Sequence, residues 1–266
     1  MKKRIVTILS ILLTVLLAGY LLLYFGQEKM IFFPEKLDKD YEFAFSQNFI
    51  EMDFKMDDNV MLHGILFKAD SSKGLVFYLH GNAGSLKSWG EIANTYTDLD
   101  YDLFMLDYRG YGKSEGKISS EGQLYSDIQK VYDILKNTYD ENNIVVLGYS
   151  IGTGPAAKLA STNHPKLLIL QAPYFNLTDL MKHYFPVIPS FALKYKFETN
   201  KFIRECKMPV IIFHGDRDEV VHFKSSLKLK GLMKNTDRLI VLKGQGHNGM
   251  SENRDYLIEI NKILNN

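Results

Sequence analysis

Gly148-Tyr149-Ser150-Ile151-Gly152 carries the strongest chemical signal in the chain. A serine with glycine two positions away on each side follows the apolar run IVVLGYS (144–150) and opens the small-residue stretch GTGPAAKLAS (152–161). That setting predicts a sharp strand-to-helix turn, in which the serine takes strained backbone geometry and its hydroxyl is exposed. A hydroxyl is a poor nucleophile near neutral pH and needs a base. His247, in the glycine-rich loop Lys243-Gly-Gln-Gly-His-Asn248 after the last apolar run, is the expected base. His63 falls in a hairpin strand, His164 before a proline, His183 in an aromatic-rich segment, and His80, His214 and His222 near strand ends. The acid is expected between serine and base, in His214-Gly-Asp216-Arg-Asp218-Glu219-Val220. All three carboxylates qualify by type. Asp218, just before Val220-Val221, is the expected acid, and Asp216 is expected to brace the turn through its own backbone. The order Ser150, Asp218, His247 matches one triad topology. Backbone N–H groups of Asn82, in the loop His80-Gly-Asn-Ala-Gly-Ser85, and of Ile151 are the expected oxyanion donors.

Two other chemistries fail on spacing. Gly110-Tyr-Gly-Lys-Ser114 imitates the end of a phosphate-binding loop, but Asp107 stands where the pattern needs glycine. The segment LDYRGYGKS (106–114) is expected to buttress the active-site edge instead. No H-E-x-x-H or comparable cluster has ligand spacing, and the single cysteine, Cys206, can build neither a disulfide nor a cysteine-rich metal site. No metal and no cofactor are expected.

These residues need a scaffold that brings distant loops to one edge. FIEMDFKM (49–56) alternates apolar and polar side chains, a half-buried strand, and residues 60–68 return from the turn Asp57-Asp58-Asn59. Six short apolar runs follow, at 74–81, 103–108, 144–150, 166–173, 209–215 and 238–244. Runs of that kind suit parallel strands buried on both faces. Helical patterns lie between them; the clearest has Leu124, Ile128, Val131, Tyr132 and Leu135 on one face, after Ser120 and Gln123 at capping-box spacing. The chain therefore reads as an α/β protein with eight strands and right-handed crossovers. Residues 174–208, rich in aromatics and containing Pro186 and Pro189, are too long for an ordinary connection and read as a small helical lid.

Composition separates two unlike parts. Ile5 to Phe25 is a run of 21 uncharged residues. As a helix it spans ~31 Å, the thickness of a bilayer hydrocarbon core. A cleaved signal peptide is the competing reading, but the run exceeds the ~7–15 residues of a signal core and no small-x-small site follows it. Lys2, Lys3 and Arg4 predict a cytoplasmic N-terminus, with the rest of the chain on the far side. The expected organisation is a basic tip (1–4), a transmembrane anchor (5–25) and one catalytic domain (26–266). The chain's net charge is +1 and the tip's three basic residues carry +3, leaving −2 for the remainder, which argues against a nucleic-acid partner. Hydrophobic residues at 46% and charged residues at 24% exclude a disordered scaffold.

HGNAGS (80–85), DYRGYGKSEG (107–116), GYSIGTGPA (148–156), HGDRDEVV (214–221) and GQGHN (244–248) together resemble the α/β-hydrolase superfamily. They resemble in particular its membrane-anchored α/β-hydrolase-domain serine hydrolases, to which IFFPEKLDKDYEF (31–43) is also similar. The resemblance covers essentially the whole chain. It implies the α/β-hydrolase fold, a mostly parallel eight-stranded sheet flanked by helices, with a short lid and one N-terminal transmembrane helix. It implies Ser150 as nucleophile, Asp218 as acid and His247 as base, the assignment reached from the residues themselves. Gln171-Ala-Pro173 departs from the Ser-Pro or Glu-Ala-Pro common in similar sequences. Some eukaryotic relatives remove fatty acyl groups from protein cysteines, but fold and triad define a reaction type and not a substrate. The expected activity is a membrane-tethered serine hydrolase that cleaves esters or thioesters of a small-molecule or lipid-like acyl substrate. A serine peptidase or amidase on the same triad, and a non-catalytic membrane-tethered binding module, are the alternatives. Oligomeric state is not legible.

Overall fold

The computed structural model describes residues 2–265. Its centre is one eight-stranded sheet: β1 (Phe49–Lys55), β2 (Met61–Phe67), β3 (Leu75–Leu79), β4 (Asp102–Leu106), β5 (Ile144–Tyr149), β6 (Leu167–Gln171), β7 (Val210–Gly215) and β8 (Arg238–Leu242). In space the order is β8-β7-β6-β5-β3-β4-β2-β1. β2 pairs antiparallel with both β1 and β4, and every other neighbouring pair is parallel. The expected α/β-hydrolase fold is the one observed. The direction of strand addition reverses between β3 and β5, and in open parallel sheets ligands bind beyond the strand C-termini at such a switch point.

The continuous apolar runs work because alternate residues feed two different cores. Leu75, Phe77 and Leu79 of β3 pack on one face of the sheet, with Leu124, Ile128 and Val131 of α2 (Glu121–Leu135) and Ala156, Ala157 and Leu159 of α3 (Thr153–Thr162). Val76 and Tyr78 pack on the other, with Tyr96 and with Tyr256 and Ile260 of α7 (Arg254–Asn265). Two runs depart from expectation because they form the edges. In β8 only Leu242 is buried, and in β1 the alternation holds at Phe54 but leaves Ile50 exposed. The Ser120 hydroxyl accepts from the Gln123 amide at 3.1 Å, capping α2. The reciprocal half of the capping box is displaced, because Gln123 Oε1 accepts from Ser119 N instead.

Helix α1 runs from Lys2 to Ile31, and it is long and apolar enough to cross a membrane. It continues past the apolar run expected to bound it. The turn 26–31 is held by the 192–195 stretch of the lid segment. Gln27 is buried, donates through Nε2 to Ala192 O (2.7 Å) and accepts from Lys194 N (2.9 Å), while Glu28 pairs with Lys194 and accepts from the Tyr195 hydroxyl. Residues 174–208 contain α4 (Leu177–Tyr184), a single 3₁₀ turn at 190–192 and α5 (Thr199–Glu205). α6 (Lys224–Lys230) follows the loop after β7.

Candidate active site

Ser150 is the residue immediately after β5, the strand flanked by β3 and β6, and its φ is +51°. A side chain adopts that left-handed conformation only when its surroundings impose it. The two flanking glycines show how. A Cβ on Gly152 would stand 2.2 Å from Leu79 O, and one on Gly148 would stand 2.5 Å from Gly152 O. The turn is thus pressed against the end of β3 and against itself, with no room for a larger residue. Thr153 Oγ1 donates to Ser150 O (2.6 Å), and the Tyr174 hydroxyl accepts from Gly154 N (3.1 Å) and donates to Ile151 O (3.0 Å). Ile151 thereby sits at the N-terminal end of α3, where unpaired N–H groups and the helix dipole favour negative charge.

Loops after β7 and β8 bring in the other two groups. His247 Nε2 lies 2.9 Å from Ser150 Oγ, and His247 Nδ1 lies 2.8 Å from Asp218 Oδ2. The neutral tautomer with its proton on Nδ1 satisfies both contacts, accepting from the serine and donating to the carboxylate. The Tyr149 hydroxyl donates to His247 O and ties the loop to β5.

Of the three carboxylates in the acid loop, Asp218 is buried while Asp216 and Glu219 are exposed. Asp218 Oδ1 accepts from Val220 N (2.8 Å) and Val221 N (2.7 Å). Its Oδ2 lies 3.2 Å from His214 Nε2 as well as against His247. Burial pushes the Asp218 carboxyl upward, but the hydrogen bonds from His214, His247 and the Val221 amide outweigh it and hold the group well below the ordinary carboxylate range. Asp216 braces this region through its backbone N–H, which donates to Leu242 O (3.2 Å), and through its side chain. Its Oδ1 accepts from Gly244 N (2.7 Å), linking the acid loop to the loop that carries His247.

His214 was not singled out by sequence. It lies at the end of β7 with Nδ1 2.6 Å from Ser226 Oγ and Nε2 2.8 Å from Val221 O, both contacts wholly buried. The only signal for it was its spacing of four residues from Asp218. The remaining histidines stand apart from the serine. His80 is fully buried, its Nδ1 2.7 Å from Gly81 O, and burial pushes it down to about 4, so it stays neutral. His63 contacts Asp53 and Glu51 at the sheet edge, and His183 packs edge-to-face against His222 outside the cavity.

A cavity of about 500 Å³ opens over the serine. Ser150, Ile151, Asn82 and His247 line its floor. Leu177, Leu180, Met181, Tyr184, Phe185 and Ile188 form one wall, and Leu23, Gln27, Met30 and Ile31 of α1 form another. Among the described residues no carboxylate or ammonium group lines it. Gln171 lies in the buried sheet and takes no part in the lining, so the departure at 171–173 is a matter of core packing.

Asn82 has unexpected partners. Its Oδ1 accepts from Phe33 N and from the Tyr111 hydroxyl, both at 3.1 Å. Phe33-Pro34 pairs in parallel with Ala83-Gly84, and the chain continues alongside the 107–114 segment through Gly112 N to Glu35 O (2.8 Å) and Leu37 N to Gly112 O (3.0 Å). The stretch leaving α1 is therefore a strand between the Asn82 loop and the DYRGYGKS loop. Nothing in its sequence signals that pairing, because a two-residue strand has no period to read.

Residues 70–203, half of the chain, match the family described as Hydrolase_4, serine aminopeptidase, S33. The chain is 31% identical over 200 residues to α/β-hydrolase domain-containing protein 17B of Xenopus laevis and 30% identical to its Homo sapiens counterpart, in each case covering 73% of this chain and 67% of the relative. Among solved structures, an esterase from Pyrococcus furiosus superposes with a TM-score of 0.70 at 20% identity, covering 88% of this chain and 97% of that one. Acetyl xylan esterase 1 from Thermoanaerobacterium superposes at 0.66 with 16% identity, covering 85% and 86%. At those identities the structural likeness carries the fold alone.

Proposed function

This chain belongs to the serine aminopeptidase S33 family of α/β hydrolases, and from that premise we propose that it is a membrane-tethered serine hydrolase acting on carboxylic esters or thioesters with an apolar acyl group. The observation that carries the reading is the continuous contact from Asp218 through His247 to Ser150, with the serine at positive φ facing an uncharged cavity.

In the proposed reaction, Ser150 Oγ attacks the acyl carbonyl while His247 Nε2 takes its proton. Asp218 keeps the imidazole in the required tautomer and stabilises the imidazolium. The N–H groups of Asn82 and Ile151 hold the developing oxyanion, and the proton passes from His247 to the departing alcohol or thiol. Water, deprotonated by His247, then attacks the acyl-serine, and the carboxylic acid leaves with Ser150 restored. The apolar helix α1 supports the tether, and the basic residues Lys2, Lys3 and Arg4 support a cytoplasmic N-terminus with the catalytic domain, 26–266, on the other side.

The family description makes peptide bonds the second candidate substrate. An aminopeptidase needs a group that neutralises the substrate ammonium, and a lining without carboxylates favours the neutral acyl ester instead. The test is Ser150→Ala in the full chain, assayed on matched ester, thioester and amide substrates. We expect ester turnover to fall by about six orders of magnitude and fluorophosphonate labelling to vanish, with the melting temperature held. Undiminished ester turnover in that variant overturns the assignment.

A further inference from the structure

The Asn82 side chain takes no part in the reaction, yet it is held from two sides. Its Oδ1 accepts from Phe33 N and from the Tyr111 hydroxyl, both at 3.1 Å. An amide oxygen has two lone pairs, and here both are filled. Among the described residues none accepts from the Asn82 backbone N–H, and Asn82 lines the cavity over Ser150. The residue is saturated at its side-chain oxygen and open at its backbone, the end that an oxyanion needs.

The loop requires such a hold. Asn82 lies between Gly81 and Ala83-Gly84, with Gly84 at φ +90°. Glycine widens the conformational range of a backbone, so this stretch does not fix the direction of one N–H by its own sequence. Two other segments do. In the strand leaving α1, Glu35 N donates to Gly84 O (2.9 Å), and a Glu35 carboxylate oxygen accepts from Ser85 Oγ (2.9 Å). In the 107–114 segment, Tyr111 is buried, and Asp107 Oδ1 accepts from Leu86 N (3.1 Å) at the far end of the loop. The two donors thus reach Asn82 from backbones that also hold its neighbours.

We propose that Tyr111 and the backbone N–H of Phe33 are positioning groups for the oxyanion hole: they fix the Asn82 amide and, through it, aim the Asn82 N–H at the substrate carbonyl oxygen. This rests on the reading of that N–H as an oxyanion donor. The role demands rigidity, because a donor must already stand about 2.7–3.1 Å from the oxyanion's position when charge develops. Phe33 lies two residues past the end of α1, so the chain that joins α1 to the catalytic domain supports the hole. The contacts among Ser150, His247 and Asp218 come from other loops. Loss of either donor should therefore weaken transition-state binding and leave the titration of the base untouched.

The experiment uses the full chain, an ester substrate and an alkyl trifluoromethyl ketone. Ser150 Oγ adds to the ketone carbon, the serine proton passes to His247 Nε2, and the carbonyl oxygen becomes the oxyanion of a hemiketal. Ketone affinity therefore reports the oxyanion hole, while KM reports the cavity. Tyr111→Phe keeps the ring and removes the hydroxyl. It is expected to lower kcat and ketone affinity by the same factor, about three- to tenfold, the scale of one hydrogen bond. KM and the acid limb of the kcat/KM profile should hold. Asn82→Ala is expected to cost about tenfold or more, and adding Tyr111→Phe should then cost nothing further, because the hydroxyl has no acceptor left to hold. Phe33→Pro removes the other donor and should match or exceed Tyr111→Phe; where it does not fold, the Asn82–Tyr111 cycle decides. Lys39→Ala, which cuts an exposed ion pair to Glu115 between the same two segments, is expected to leave kcat unchanged. Additive losses in the cycle, a ketone affinity that holds while kcat falls, or an equal loss in K39A overturns the proposal. A parent enzyme that binds the ketone, with Y111F unchanged in kcat and affinity, removes the proposal alone. A parent that does not bind the ketone removes the serine-hydrolase reading, and the proposal falls with it.

Discussion

The two sides of the cavity are built on opposite terms. On the floor, Ser150, His247, Asp218 and His214 are held by contacts of 2.6–3.2 Å between mostly buried atoms, on loops anchored at the ends of β5, β7 and β8. On the walls, α1 and the lid offer apolar side chains; the Gln27 and Glu28 bonds join the two walls to each other, and the lid is tied to the body through Asp179 to Lys228 (2.6 Å), Glu121 accepting from Lys196 N (2.8 Å) and the Tyr184 hydroxyl donating to the carbonyls of Glu219 (2.7 Å) and Val220 (3.0 Å). Polar chemistry tolerates little displacement, since a misplacement of about 1 Å costs orders of magnitude in rate. Apolar packing is non-directional and accepts varied shapes. One fold therefore keeps a reaction on its sheet and varies the substrate on its walls.

The contrast breaks most visibly at Asp218. Replacing it with asparagine keeps the shape and removes the charge that orients His247, and kcat is expected to fall about 10⁴-fold with KM little changed. The same variant reports on stability. The folded pKa of Asp218 is depressed, so its stabilising contribution is complete above the unfolded carboxylate value of about 3.9 and is lost as pH falls through the folded value. Urea denaturation at stepwise lower pH should show a shallower acid loss in D218N than in the parent.

A smaller effect is expected one contact further back. His214→Phe removes a buried donor to Asp218, a hydrogen bond to charge worth about 1.5–3 kcal/mol, and should lower kcat about 10–100-fold. The acid limb of its kcat/KM profile should also move, which a purely structural loss would not produce, and His214→Gln, which retains an N–H donor, should recover part of both. The wall responds least. Tyr184→Phe removes the hydroxyl that ties the lid to the acid loop and is expected to raise KM about two- to fivefold with kcat unchanged, the scale of one partly exposed hydrogen bond. A kcat loss in Y184F comparable to that in H214F would erase the distinction between floor and wall.

Legibility in the sequence divides along the same line. Ser150 and its glycines were readable because steric demands at a sharp turn act between neighbours in the chain. The strands were readable because burial on both faces leaves an unbroken apolar run, and the reading weakened at β1 and β8, where an edge removes one side of that burial. Choosing Asp218 over Asp216 from the loop sequence alone rested on position, whereas burial and the Val220 and Val221 amides distinguish them by geometry. The partners of Asn82 were beyond reach, since Phe33 is 49 residues away and its backbone N–H has no sequence signature.

Local pattern alone determined the sheet, the serine turn, the chain order of Ser150, Asp218 and His247, and an N-terminal run of membrane-spanning length. Propensity, periodicity and turn sterics act over a few residues, so a linear reading captures them. Only the tertiary structure decided that α1 continues past Phe25 to become a wall of the site. Gln27 stays helical and buried because its amide bonds to Ala192, 165 residues away, and an unpaired buried amide at that point would cost more than the turn gains. The same long-range closure decided that the strand leaving α1 clasps Asn82 and that the lid lies beside Tyr20.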